Sequence, residues 1–189
     1  MSPTPIVLRT PRLLMRQWRE EDRAVVIAMG ENQQVMAHYP STLTPEQSRA
    51  VWQRLFDGIA ARGWGLWATE RVDTGELVGF VGITPPRHRT PYDPCIEIGW
   101  RLLPAHWGQG FATEAAQGAL RFGFEELALE EILAWTTLGN KRSQAVMERL
   151  GMARDRQTFE HPAIPAGSPL REHCVYRLRA SRWRNAQAG

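Results

Sequence analysis

Several features are scarce in this chain of 189 residues, and each scarcity argues against a class of protein. The two cysteines, Cys95 and Cys174, have a spacing that fits neither a disulfide framework nor a zinc site. No apolar run reaches the roughly 18 residues that a membrane helix needs. The first residues also lack the apolar core of a signal peptide. These absences predict a cytoplasmic protein with no metal site and no membrane partner.

Lysine is also scarce, because Lys141 is the only lysine among 23 basic residues. The charge is unevenly spread: residues 141–189 carry 10 basic and 4 acidic side chains, whereas acidic residues are in excess before them. Such a basic segment either faces an anionic ligand or forms a solvated surface. Nucleic acid is not favoured as a partner, because the basic residues form no run and no stacking aromatics lie between them.

Proline and glycine divide the chain into strands and helices. The pattern predicts, in chain order, a hairpin over 6–17, helices over 20–31 and 44–61, strands over 65–71, 76–84 and 95–103, a helix over 110–127, a strand over 131–137, a helix over 140–150 and a strand pair over 152–160 and 171–179. This order indicates an α/β (α+β) protein whose mixed sheet is covered on both faces. The length suits a single domain over residues 1–189.

The most informative segment joins a strand to a helix at residues 100–114. Pro104 ends the strand, and Gly108 and Gly110 precede the helix. Glycine allows backbone N–H groups to turn towards a ligand, and a helix N-terminus leaves several N–H groups unpaired and partly positive. The arrangement is typical of a phosphate site, although a glycine-rich turn without a ligand has the same spacing.

Other phosphate and catalytic motifs fit the chain less well. A dinucleotide fingerprint needs a third small residue where Thr113 stands, and the Gly-Lys-Ser/Thr of a P-loop is missing. The hydrolase motif Gly-x-Ser-x-Gly and the zinc-protease motif His-Glu-x-x-His are missing too.

Two motifs together resemble a known family. Residues 108–115, Gly-Gln-Gly-Phe-Ala-Thr-Glu-Ala, resemble motif A of the GNAT N-acetyltransferases. Residues 140–143, Asn-Lys-Arg-Ser, and 149–152, Arg-Leu-Gly-Met, follow as in the branch that contains the ribosomal-protein N-terminal acetyltransferases. The resemblance extends from Leu8 to the last strand, and the two motifs in this order are far more specific than either alone.

The resemblance implies a fold and an activity. The fold is the GNAT acyl-CoA N-acyltransferase fold, with a mixed, mostly antiparallel sheet of six to seven strands, about four helices, and a splay between strands 95–103 and 131–137. The activity is transfer of an acetyl group from acetyl-CoA to a primary amine by direct attack in a ternary complex. No metal takes part in it.

The resemblance also assigns residues to the coenzyme. Backbone groups of Leu102 and Leu103 are expected to contact the pantetheine arm. The pyrophosphate is expected to lie against the turn formed by Trp107, Gly108, Gln109, Gly110, Phe111, Ala112 and Thr113. Family members commonly have Arg or Gln where Trp107 stands, so this turn should depend mainly on backbone N–H groups.

The second motif adds Asn140, Lys141 and Ser143 to the predicted coenzyme site. Asn140 fits a helix N-cap, and in family members this residue also reaches the coenzyme arm. Lys141 places a cation in a first helical turn, where either a phosphate or exposure to solvent relieves the unfavourable charge. Ser143 is either an ordinary helix residue or the group that protonates the leaving thiolate, because Met147 occupies the usual tyrosine position.

Glu97 is the best candidate for the catalytic base. It lies on the polar face of the strand that leads into the glycine-containing turn, and a carboxylate can take a proton from an ammonium group directly or through water. The alternative is a half-exposed strand residue opposite Arg101.

The acceptor is the least determined part of the prediction. The segments expected around it are aromatic and proline-rich, with few acids: 36–40, 85–94 and 162–169. A polycationic acceptor would need several carboxylates, so a peptide or protein N-terminus or a small amino compound is favoured. A non-catalytic acyl-CoA sensor, needing neither Glu97 nor Ser143, is the alternative from another class. The sequence leaves a homodimer open.

Overall fold

The computed structural model describes residues 3–187. Its strands and α-helices are, in chain order, β1 (Leu8–Arg9), β2 (Leu13–Arg16), α1 (Arg23–Glu31), α2 (Pro45–Arg62), β3 (Leu66–Arg71), β4 (Leu77–Thr84), β5 (Glu97–Leu102), α3 (Phe111–Arg121), β6 (Glu131–Thr137), α4 (Lys141–Arg149), β7 (Ala153–Glu160), β8 (Glu172–Arg179) and α5 (Ala180–Gln187). A π-helical segment, Phe122–Glu126, continues α3. The predicted elements are all present, with ends shifted by a few residues.

All eight strands belong to one sheet in the order β1-β2-β3-β4-β5-β6-β8-β7. Only β5 and β6 are parallel, and every other neighbouring pair is antiparallel. Helices α1 and α2 cover one face, where Trp18 packs on Phe80, and α3 covers the other, where Phe122 packs on Trp67. The predicted fold class is therefore confirmed.

The element counts exceed the implied ones by one strand and one helix. The strand beyond the implied seven is β1, which lies within the hairpin that the residue pattern predicted over 6–17 and whose two residues pair with Leu14 and Met15 of β2. The extra helix is α5, which had no predicted counterpart. Trp183 of α5 is buried and lies 5.7 Å from the Phe124 ring, so tertiary packing stabilises this short polar helix.

Helix α2 shows how local chemistry sets an element's ends. The Thr44 side chain accepts a hydrogen bond from the Gln47 N–H at 3.2 Å, and the Gln47 side chain accepts one from the Thr44 N–H at 2.9 Å. These two bonds form a capping box at the start of α2. At the other end Gly63 takes a left-handed conformation, with φ of 81°, and terminates the helix.

Strands β5 and β6 meet and then separate. Their one registered pair is Glu97 with Leu133, beside a hydrogen bond of 3.0 Å from the Leu133 N–H to the Ile96 carbonyl. On its other side β5 stays paired with β4 up to Leu102. The sheet is therefore splayed beyond Glu97, as predicted, and the gap opens towards the turn that follows Leu102.

A buried ion network joins the two hairpins at one end of the sheet. Arg16 lies 2.7 Å from a carboxylate oxygen of Asp22 and 2.6 Å from one of Glu70. Asp22 also accepts the Arg19 N–H at 2.7 Å. All three side chains are almost wholly buried, so water cannot solvate their charges and each charge depends on the others for compensation.

Replacing Arg16 by Met should lower the free energy of unfolding by about 3–5 kcal/mol, because two buried carboxylates would lose their cation. Urea denaturation monitored by circular dichroism measures this change. The matched control is Arg49→Met, which breaks the exposed pair with Glu46 and should cost less than about 1 kcal/mol. Equal losses in both variants would contradict a special role for the buried network.

Candidate active site

The turn after β5 presents a row of free backbone donors. Gly108 and Gly110 have φ of 73° and 81°, a conformation that favours glycine. Helix α3 makes its first intrahelical bond from the Glu114 N–H to the Gly110 carbonyl. The N–H groups from Gly108 to Thr113 donate to no acceptor within residues 3–187. No atom lies within 4 Å of where a Gly108 Cβ would be, so the turn is open on that side.

Two residues from the β1–β2 turn brace this row of donors. Glu114 accepts hydrogen bonds from the Thr10 hydroxyl at 2.6 Å, the Arg12 N–H at 2.8 Å and the Arg12 Nε at 2.6 Å. Arg12 then donates to the Gln109 carbonyl at 3.0 Å. Burial alone would raise the pKa of Glu114, but these bonds hold it below its usual value. Sequence reasoning missed Thr10 and Arg12, although both lie at the start of the family resemblance.

Trp107 links the turn to both the sheet and α4. Its indole N–H donates to the Leu102 carbonyl at 2.8 Å, and the Arg142 guanidinium lies over its ring at 4.8 Å. Sequence analysis expected no positive charge at this position, but Arg142 brings one there. The two sequence motifs therefore meet through this cation–π contact.

The predicted pantetheine contacts already have protein partners. The Leu103 N–H donates to the Val78 carbonyl at 3.0 Å, so it is paired with β4. The Leu102 carbonyl receives the Trp107 indole and keeps one further lone pair. The Leu103 carbonyl likewise accepts the His106 N–H at 3.0 Å, so each of the two carbonyls has one lone pair left for a further bond.

Asn140 is the N-cap of α4. Its side-chain oxygen accepts the Ser143 N–H at 3.2 Å, and its amide donates to the Thr136 hydroxyl at 2.9 Å. Lys141 is exposed, whereas Ser143 is partly buried. Met147 is only 1% exposed, so the usual tyrosine position is part of the core and provides no proton donor.

Glu97 lies at the start of the splay with its carboxylate unpaired. It forms no ion pair or side-chain hydrogen bond in the part of the chain that the structure describes, so Arg101 does not neutralise it. Burial, and then the negative charge of Asp93, raise the pKa of Glu97 to about 7. Asp93 is held by the Thr90 N–H and hydroxyl, both at 3.0 Å. Glu97 can therefore bind and release a proton near neutral pH.

The cysteines have a different character. Burial, and then Asp93, raise the pKa of the Cys95 thiol to about 11, and burial also raises the pKa of Cys174. Both thiols are therefore protonated at neutral pH, which is typical of packing residues and not of nucleophiles.

The far side of the gap is aromatic. Phe159 lies at the centre of a cluster whose other rings are within about 6 Å of it: Tyr92, Trp135, His161 and His173. Burial, and then the neighbouring His173 and His88, lower the pKa of His161 to about 4, so its ring is neutral. The cluster connects the 85–94 loop with the β7–β8 hairpin, two of the segments predicted to surround the acceptor.

His38, in the connection between α1 and α2, lies beside the end of β6. Its Nδ1 lies 3.3 Å from the Thr137 hydroxyl at the end of β6. Burial, and then the charge of Arg142, lower the pKa of His38. His38 belongs to the segment 36–40, which was predicted to surround the acceptor. This segment therefore lies near Arg142, the α4 residue that contacts Trp107.

Neither a metal centre nor a membrane span is present among residues 3–187. Within that range no three His, Cys, Asp or Glu side chains are grouped to hold a metal ion. None of the helices there is long and apolar enough to cross a bilayer.

Comparison with known proteins identifies the family. Residues 12–153 match the acetyltransferase (GNAT) domain. The N-acetyltransferase YoaA of Bacillus subtilis is 30% identical over 154 residues, which cover 79% of this chain and 84% of YoaA. The FsC-acetyl coenzyme A-N(2)-transacetylase of Aspergillus fumigatus is 27% identical over 95% of this chain and 79% of its own.

A solved structure has the same fold. The GNAT-family acetyltransferase of Bacillus anthracis superimposes with a TM-score of 0.75 and 27% identity, covering 93% of this chain and 99% of that protein. The family that two short motifs predicted is confirmed, and this chain belongs to the GNAT N-acetyltransferases.

Proposed function

We propose that the protein transfers the acetyl group of acetyl-CoA to a primary amine by direct attack in a ternary complex. The main support is that a base, a gap for the substrates and donors for the coenzyme all lie along one strand. β5 begins with a carboxylate whose pKa is about 7, borders the gap in the sheet, and leads into the row of free N–H donors. An acyl-CoA sensor would need the donors but not the carboxylate, so Glu97 favours the enzyme over the sensor.

Acetyl-CoA supplies the acetyl group as an activated thioester, and the chain fits it at several points. The N–H groups from Gly108 to Thr113 hold the pyrophosphate, because they are oriented donors at a helix N-terminus. Arg142 and Lys141 add positive charge beside them. Asn140 and Leu102 contact the arm of the coenzyme where it enters the gap.

Glu97 prepares the acceptor for attack. An amine is mostly protonated at neutral pH, and a base with a pKa near 7 can remove that proton directly or through water. Ser143, in the first turn of α4, is the candidate donor to the leaving thiolate, since Met147 has no proton to give. Fixing the two reactants in the gap supplies proximity and orientation.

The acceptor is a peptide or protein N-terminus or a small amino compound. The aromatic cluster around Phe159 offers apolar surface to such an acceptor. The resemblance to the ribosomal-protein branch favours the N-terminus, whereas the A. fumigatus relative is named for an N(2)-transacetylase. The two free cysteines support a reducing compartment such as the cytoplasm.

A thiol-release assay tests the function. The protein is incubated with acetyl-CoA and a panel of peptides and small amines, and free coenzyme A is measured with a thiol reagent. We expect release above the hydrolysis background with at least one acceptor, and a matching acetylated product by mass spectrometry. Tight binding of acetyl-CoA without thiol release across the whole panel would instead support the sensor.

A further inference from the structure

Three arginines form an unpaired cluster on the acceptor side of the sheet. Arg54 lies on α2, Arg87 on the loop after β4, and Arg101 on β5. Within residues 3–187 none of the three is in an ion pair or donates a side-chain hydrogen bond. Desolvation, and then the charges of Arg87 and Arg101, lower the pKa of Arg54, which places Arg54 near each of the other two. These three residues are named the arginine cluster.

Arg101 shares a strand face with Glu97. Alternation along β5 puts Glu97, Gly99 and Arg101 on the same side of the sheet. Gly99 contributes no side chain between the other two. A Cβ built there would approach only Leu66, at 3.8 Å, so the space over Gly99 is open. The Cα atoms of Glu97 and Arg101 are four residues apart, or about 13 Å along an extended strand.

The Arg101 guanidinium is held by rings rather than by a counter-charge. It lies 4.3 Å from the centroid of Tyr39 and 5.3 Å from that of Phe80. Its Nε is buried without a hydrogen-bond partner in the part of the chain described by the structure. Its two terminal nitrogens are not buried and have no hydrogen-bond partner among the described residues, so they are the donors that an anion can reach.

We propose that the acceptor amine carries a carboxylate, which the arginine cluster binds while the amine lies beside Glu97. The proposal rests on the acetyltransferase function above and narrows its acceptor to amines with an anionic group. It also explains why the surroundings disfavour a polycation, since such an acceptor would meet three like charges. The carboxylate can belong to a small amino acid or to an acidic peptide near its N-terminus.

Matched acceptors test the proposal. In the small-molecule arm, kcat/KM for δ-aminovalerate is compared with that for its carboxamide. In the peptide arm, Ser-Asp-Glu amide is compared with Ser-Asn-Gln amide. We expect the charged member of at least one pair to be favoured about tenfold or more, the effect of a hydrogen bond between charged groups. The favoured arm identifies the source of the carboxylate.

Variants connect this preference to the cluster. Arg101→Gln should bring the ratio of the two kcat/KM values close to one, and Arg101→Lys should restore part of it. Arg54→Gln, at an exposed position, gives the same test with little risk to folding. Arg121→Gln, on α3 at the opposite face, should leave the ratio as in the wild type. Unchanged ratios in Arg101→Gln and Arg54→Gln would overturn the proposal.

The experiments distinguish failure of this proposal from failure of the acetyltransferase function. If charged and neutral acceptors react equally well, the acetyltransferase stands and the arginine cluster does not select the acceptor. If no acceptor releases thiol, the acetyltransferase function is wrong, and calorimetric titration with valerate, which has a single carboxylate, then tests the cluster alone. Valerate binding that Arg101→Gln abolishes supports a carboxylate site, and absence of binding overturns it.

Discussion

Glu97→Gln should lower kcat by about 100- to 1000-fold, the usual contribution of a general base, while the KM for acetyl-CoA stays within about twofold. Glutamine has the size of glutamate but cannot accept the proton of the ammonium group. Initial rates of thiol release at saturating acceptor measure the effect. Glu125→Gln, at an exposed position after α3, is the control and should keep the wild-type rate. A Glu97→Gln enzyme with normal kcat would exclude Glu97 as the base.

The same residue predicts the pH dependence. Burial and Asp93 raise the pKa of Glu97 to about 7, and only the deprotonated carboxylate can act as the base. The value of kcat/KM should therefore rise with pH through about 7. Removing the negative charge in Asp93→Asn lowers the pKa of Glu97, so the rise should move to lower pH. If the rise persists unchanged in Glu97→Gln, it belongs to another group.

Gly110→Val should weaken coenzyme A binding by at least about tenfold, whereas kcat at saturating acetyl-CoA should change little. The φ of Gly110 is 81°, and an L-residue in this conformation costs about 1–2 kcal/mol. The turn must shift to relieve this backbone strain, and the N–H groups would lose their orientation. Calorimetric titration with coenzyme A measures the affinity.

Gly151→Val is the matched control for this substitution. Gly151 also has a positive φ, of 74°, but ends α4 away from the first-turn residues assigned to the coenzyme. It should lose a similar amount of stability and bind coenzyme A like the wild type. If Gly110→Val keeps the wild-type affinity, the pyrophosphate does not lie on this turn.

Short-range chemistry explains what could be predicted from the sequence. The ends of α2 follow from Thr44, Gln47 and Gly63, whose capping hydrogen bonds stay within this helix. The ends of β6 and the N-cap at Asn140 likewise follow from residues that are neighbours in the sequence. The family could also be predicted, because its two motifs are short and lie at a characteristic spacing. Helix α5 was missed because its polar residues form a helix only when Trp183 packs on Phe124.

The electrostatics of the site depend on the tertiary structure. Arg142 reaches Trp107 across 35 positions of sequence, and Arg12 reaches Gln109 and Glu114 across about a hundred. Sequence shows that Glu97 is a carboxylate on a polar strand face, but its pKa depends on how deeply the folded chain buries it. The arginine cluster likewise combines three segments that no local pattern relates. Side-chain identity and local conformation are encoded in neighbouring residues, whereas burial and the distances between charges exist only once the sheet has assembled.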